Sequence, residues 1–244
     1  MTAHVRIAIA NHILYDQGIV DGFGHVSQRD PGNPDQFLLS RNMAPALVRP
    51  ADVLSFDLQG EVTVADGARV FVERFIHAAI YRLRPDVNAV IHSHAPALLP
   101  FGTVPGLELC PICHMSGFIR RGTPIHDIRG DLGPGSDMLI RSLELGESLA
   151  HALGDHALVL MRGHGMTVVG TSLEQAVYRA VYAEVNARIQ LAASQYGATN
   201  FLTELEAATS DAANQSQLGR AWEFWALRAK VTVAPLHAAM AADE

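Results

Sequence analysis

Cysteine is almost missing from this chain. Only Cys110 and Cys113 occur in 244 residues, as a single Cys-Pro-Ile-Cys unit. No second such unit completes a four-cysteine zinc site, and the pair opens no obvious helix as a redox motif would. The two read as reduced thiols near a pocket or the core. Cations are also scarce: 18 Lys and Arg stand against 25 Asp and Glu, for a net charge of -7. Nucleic-acid binding needs clustered Lys and Arg, and the lone pair Arg120–Arg121 does not supply them, so no nucleic-acid partner is expected. No uninterrupted apolar run is long enough to span a bilayer, so no membrane partner is expected either. The N-terminus has no basic segment leading into a long apolar run, hence no signal peptide, and a cytoplasmic location follows as the expectation. Internal repeats and low-complexity linkers are likewise lacking.

What the chain does have is apolar residues, 49% of the total, enough for one large core with appendages. Apolar spacing predicts a helix over residues 2–16, closed by Gly18. Gly22-Phe23-Gly24 reads as a turn into a strand at His25–Arg29. Further strands are expected at 36–40 and 53–57, with turns at Gly60 and Asp66-Gly67. Phe75, Ala79 and Leu83 line one face of a helix over 71–83, followed by a strand at 87–91. Pro96 opens a short helix. Helices are expected at 136–153 and, from a Ser172/Gln175 capping box, at 172–196, with a strand at 157–161 between them. From residue 207 the composition turns to Ala, Ser, Asp and Asn. Trp222, Phe224 and Trp225 interrupt this tail and need something to pack on, the domain or a neighbouring subunit. Helices alternate with strands, but the early strands are consecutive. The fold class is therefore α/β, an α/β/α layered arrangement on a mixed, largely antiparallel sheet.

Three histidines carry the chemistry. His92 and His94, in Val-Ile-His-Ser-His, leave the strand at 87–91, and residues two apart on a strand share a face. His164, in Met-Arg-Gly-His-Gly, leaves the strand at 157–161 in the same manner. Three imidazoles with an open fourth position make a catalytic divalent metal site. Glu73 is the acid/base candidate. Taken alone it is explained as well by stabilisation of a helix start. Tyr178 and Tyr182 share a face of the long helix and read as core aromatics.

The order of a Glu, a helix, a strand, His-x-His and then a distant His resembles the class II aldolase/adducin family over about residues 5–193. That resemblance implies a class II aldolase-like fold for a catalytic domain at 1–206, with 207–244 as a C-terminal tail. It implies Glu73 as catalytic acid/base and His92, His94 and His164 as ligands of one divalent metal ion per subunit, Mn or Zn foremost, Fe or Co also suited. It further implies a homotetramer with sites near subunit interfaces.

Departures from the family pattern narrow the substrate. Family members that cleave sugar phosphates use paired serines before the Glu and an Asn-bearing glycine turn. Here Phe71-Val72 and Gly24-His25-Val26-Ser27 stand instead, a poor cradle for phosphate. The strings Phe23–Ser27, Glu73–His77, Arg84–Val90 and Met161–Gly165 look like the branch of metal-dependent decarboxylases of hydroxylated aromatic dicarboxylates. The expected substrate is thus a small ortho-hydroxylated aromatic dicarboxylate, with a benzene or pyridine ring. Its expected contacts are His25, Ser40, Arg41, Phe71 and His114. The Arg41 guanidinium would hold the retained carboxylate. His114 stands nearest to where family aldolases place a tyrosine proton donor, although it reads first as an ordinary polar loop histidine. Two other readings stay open: a retro-aldol lyase on a non-phosphorylated hydroxy-keto acid, and a non-catalytic adducin-like binding module.

Overall fold

Helix α1 (Ala3–Asp16) starts where the Thr2 hydroxyl accepts from the Val5 amide, a serine/threonine-type cap. Strands β1 (His25–Asp30) and β2 (Asn33–Ser40) form an antiparallel hairpin, and β3 (Val53–Asp57) adds to β2. Then come α2 (Arg74–Leu83), β4 (Ala89–Ser93), the short α3 (Leu99–Thr103), β5 (Ile125–His126), α4 (Arg129–Leu132) and α5 (Leu143–Leu153). The chain closes with β6 (Leu158–Met161), β7 (Gly165–Gly170), α6 (Leu173–Ala193), α7 (Glu204–Gln215) and α8 (Leu218–Ala242). This is a computed structural model, and it describes residues 1–64 and 67–242. Asp66 of the expected Asp66-Gly67 turn lies outside the described residues.

The seven strands run in the order β3-β2-β1-β4-β7-β6-β5, antiparallel except for the β5–β6 pair. This is the mixed, mostly antiparallel sheet expected. Alternation along each strand divides the core in two. Val26, Ile91 and Val168 pack under α1, α6 and α8 with Ile13, Val177 and Trp225. Phe37, Val90 and Val169 pack under α2 and α5 with Ile76, Ile80 and Leu149. His92 follows Val90 by two positions and so lies on the α2 side of the sheet.

Three of the differences from expectation bear on the site. Helix α2 begins at Arg74 and not at residue 71, because Phe71–Glu73 form a turn held by the Arg74 amide on the Phe71 carbonyl at 3.4 Å. Helix α5 begins at Leu143 and not at 136. The Ser136 and Asp137 side chains accept from the amides of Met138 and Leu139 at 2.9 and 3.2 Å, local turns that compete with helix. Ser142 then caps α5 through the Leu145 amide. Met138 has φ +65°, which no right-handed helix contains. Strand β7 was not anticipated, since its Gly-Met-Thr-Val-Val-Gly is short and bounded by glycines, yet all six residues are buried. The tail beyond residue 207 is largely helical. α8 lies along α1, with Arg228 on Asp16 at 2.7 Å, and Trp225 stands against Tyr182 with ring centroids 6.1 Å apart. Among the described residues no helix is long and apolar enough to cross a membrane.

Candidate metal and catalytic centre

β4 and β7 are direct neighbours, and His92 stands opposite Thr167 across that ladder. His94 follows two residues on, just past the end of β4. His164 comes from the tight β6–β7 turn, where its amide returns to the Met161 carbonyl at 3.0 Å. The turn needs its glycines. Gly163 has φ +67°, and a Cβ on Gly165 would lie 2.1 Å from the Ser93 carbonyl oxygen. Only glycine lets β7 approach β4 closely enough to bring His164 to the pair.

The three Nε2 atoms converge. His92 and His94 are 3.3 Å apart at Nε2, and His164 and His94 are 3.2 Å apart. Oε2 of Glu73 is 3.5 Å from Nε2 of His92 and 3.6 Å from that of His164. All four ligand atoms lie within 4.8 Å of one another. Two nitrogens bound to one tetrahedral ion at about 2.1 Å would stand about 3.4 Å apart, so the spacing fits a divalent metal.

Protonation fits as well. Burial pushes His92 well below its ordinary value, with His25 adding to the effect. Burial also lowers His94 and, with His94 beside it, brings His164 down to about 4. All three are neutral near pH 7 and keep lone pairs for a cation. The Thr167 hydroxyl stands between Met161 Sδ at 3.5 Å and His92 Nδ1 at 3.4 Å. With Nε2 on a cation His92 carries its proton on Nδ1, where the Thr167 oxygen can accept it.

Glu73 is the N-cap residue of α2 and is mostly buried. Its Oε1 accepts from the Ile140 amide at 3.1 Å, which leaves Oε2 for the imidazoles. Burial pushes its carboxyl up to about 7, against the lowering effect of the Ile140 hydrogen bond.

A cavity of about 320 Å³ opens over this cluster, at the lower end of ligand-pocket sizes, about 300–1,000 Å³. Phe23, Met43, Phe71, Val72 and Leu139 give it apolar walls, and His25, Asn42, Glu73, His92 and His94 its polar ones. Of the expected substrate contacts, His25 and Phe71 line this cavity, their ring centroids 4.6 Å apart. Ser40, Arg41 and His114 are not on its wall. Ser40 is buried at the end of β2, and its hydroxyl has no hydrogen-bond partner among the described residues. Arg41 is half-exposed and turned to Asp52, Nε to Oδ1 at 2.7 Å. His114 is exposed, and its carbonyl accepts from Asn214. Sequence reasoning missed Asn42, Thr167 and Ile140. No local pattern marks a backbone amide such as that of Ile140, and Thr167 lay in the strand that was not anticipated.

Residues 5–191 match the family described as Class II Aldolase and Adducin N-terminal domain. The chain is 35% identical over 237 residues to the protein named Decarboxylase tropJ from Talaromyces stipitatus, covering 88% of this chain and 89% of that one. It is 33% identical over 205 residues to 3,4-dihydroxyphthalate decarboxylase from Arthrobacter keyseri, covering 80% of each. Among solved structures, an aldolase II superfamily protein from Pseudomonas syringae superposes with a TM-score of 0.77 at 22% identity, over 94% of this chain and 92% of that one.

Proposed function

The chain belongs to the class II aldolase and adducin family, and on that premise we propose that it is a metal-dependent decarboxylase of an ortho-hydroxylated aromatic carboxylate. The observation that carries this reading is the position of Glu73. Its carboxyl, raised to about 7 by burial in the metal-free chain, stands against the three-histidine cluster on the wall of a cavity bounded by Phe23 and Phe71. Two relatives that share most of their length with this chain are named as decarboxylases, one of them for a dihydroxylated phthalate. Apolar walls of this kind suit a flat ring.

A divalent ion held by His92, His94 and His164 would act as a Lewis acid toward the phenolic and carboxylate oxygens of the substrate. The residues do the rest. Phe71 and Phe23 hold the ring with its carboxylate-bearing carbon toward Glu73. The protonated Glu73 gives its proton to that carbon as electrons move in from the ortho oxygen, and the ring passes into its keto form. The carbon–carboxylate bond then breaks, carbon dioxide leaves, and the bond electrons return to the ortho oxygen as the ring regains aromaticity. One proton replaces one carbon dioxide, and Glu73 regains its proton from water.

The test is a carbon dioxide release assay on ortho-hydroxylated aromatic mono- and dicarboxylates, benzene and pyridine series both. Metal-stripped protein is reconstituted separately with Mn, Zn, Fe and Co. Metal-dependent release from at least one member is expected. Pyruvate or an aldehyde formed from a hydroxy-keto acid, with no carbon dioxide from any member of the panel, would overturn the reading.

A further inference from the structure

Behind the cavity wall a chain of buried side chains runs from β1 into α2. His25 Nδ1 meets His77 Nε2 at 2.7 Å. His77 Nδ1 meets Ser27 Oγ at 2.6 Å, and Ser27 Oγ meets Tyr81 Oη at 2.8 Å. His25 and Ser27 are two apart on the strand, and His77 and Tyr81 are four apart on the helix, so each pair shares a face and the two faces meet. None of the four is more than 4% exposed. Of the four only His25 lines the cavity, and the proposed reaction steps use none of them.

The chain has one consistent polarity. The Tyr81 hydroxyl is a buried donor, and leaving it without an acceptor would cost about 1–3 kcal/mol. Among the described residues its only side-chain partner is Ser27 Oγ. Tyr81 therefore donates to Ser27. Ser27 has one proton, and its other partner is His77 Nδ1, so Ser27 donates there. Burial holds His77 neutral, its pKa brought down to about 3, so its single proton is on Nε2 and is donated to His25 Nδ1. His25 accepts at Nδ1, so its own proton is left on Nε2, the ring nitrogen not taken up by His77. The far end is closed, because burial pushes Tyr81 well above the ordinary phenol range. The chain fixes a tautomer and does not pass protons on.

We propose that His77 is a positioning residue, locked by Ser27 and Tyr81, that fixes His25 as an Nε2–H donor to an anionic oxygen of the bound substrate. His25 pairs with His92 across the β1–β4 ladder, ring centroids 5.1 Å apart. The two rings are wired oppositely. His92 turns Nε2 to the cluster and must leave it bare to hold a cation, with its proton on Nδ1 beside Thr167, whereas His25 accepts at Nδ1 and shows a proton. That difference keeps His25 out of the metal ligand set although it stands beside it. The substrate role rests on the decarboxylase reading; the tautomer does not.

The experiment is nitrogen NMR of histidine-labelled protein, metal-free and Zn-loaded, which reports which ring nitrogen of His25 is protonated. Tyr81→Phe and His77→Gln are compared with it. Wild-type His25 is expected as Nε2–H in both forms. Tyr81→Phe removes the proton that sets the polarity and should give a mixture of His25 tautomers. It should also lower kcat several-fold, with the thermal midpoint and metal affinity little changed. His77→Gln, which still places an N–H donor toward His25, should keep more of kcat than His77→Leu, whose loss is expected at about 10- to 100-fold, the range seen for groups that orient site residues. An Nδ1–H tautomer in the wild type would overturn the proposal even if no variant folds. A Tyr81→Phe protein with His25 unchanged in tautomer would overturn the lock. An Nε2–H tautomer in a protein that decarboxylates nothing would sustain the wiring and sink only the reaction.

Discussion

The Ile140 amide donates to Oε1 of Glu73 at 3.1 Å across 67 residues of sequence, and this one bond divides the carboxylate into a held oxygen and a working one. The loop that makes the bond also carries Met138 at positive φ, so the arrangement depends on residues 136–142 not being helical. A Glu73→Gln variant keeps an oxygen for Ile140 and loses the acid. Turnover should fall by about 10²- to 10⁴-fold, the usual worth of a positioned acid, while the three histidines still take up metal. Carbon dioxide release and metal content measured on the same sample check it. Full activity would remove Glu73 from the reaction.

Metal should stabilise the fold, because the folded chain brings the three imidazole nitrogens and a Glu73 oxygen within 4.8 Å of one another and the unfolded chain does not. At free metal 100 times its Kd the gain is about 2.7 kcal/mol. Thermal unfolding with and without chelator reads it. His164→Ala, which removes the ligand on the β6–β7 turn, should abolish most of the metal-dependent shift and leave the metal-free midpoint near that of the parent. A shift unchanged in that variant would place the ion elsewhere.

Gly165 links fold to site more tightly than any side chain. Its missing Cβ is what lets the β7 backbone pass the Ser93 carbonyl. Gly165→Ala forces β7 away from β4, at a cost of about 3 kcal/mol for overpacking of this severity, and it withdraws His164 from the pair. Metal affinity should fall more than stability alone accounts for. Retained affinity, with His164 still bound, would mean that the turn adapts by another route.

Much of this centre was legible in the sequence, since strand alternation alone put His92 and His94 on one face and the Gly-His-Gly string marked a turn. The long helix, its cap at Ser172 and the order of the early strands were legible for the same reason: each is a local pattern. What was not legible is set by contacts between distant segments. Arg41 reads as an available cation until Asp52 is seen beside it. Residues 136–142 have helical spacing, yet Ser136 and Asp137 spend their side chains on local amides. His77 shows in the sequence only as the last residue of the Glu73–His77 string. The clue was that Glu73, His77 and Tyr81 recur every four residues on α2, a polar stripe on a face that must be buried.

That stripe gives the metal-free protein a pH-dependent stability. His77 has an ordinary pKa of 6.5 and is held neutral by burial, down to about 3 in the folded chain. Above 6.5 neither state binds the proton, and the contribution is fully present. As pH falls below 6.5 the unfolded chain takes up a proton that the folded chain refuses, so stability is lost toward pH 3, at up to about 1.4 kcal/mol per pH unit. The other buried histidines lose stability in the same direction, and Glu73, raised to about 7, gains some as pH falls from 7 to 4.5. Comparison with His77→Gln cancels those shared terms. Between pH 7 and 5.5 the parent should lose about 1.2 kcal/mol more than the variant, by the same linkage. Denaturant unfolding of both proteins without metal measures the difference. Equal losses would mean that His77 is protonated in the folded chain, and it could then not be the neutral donor that sets His25.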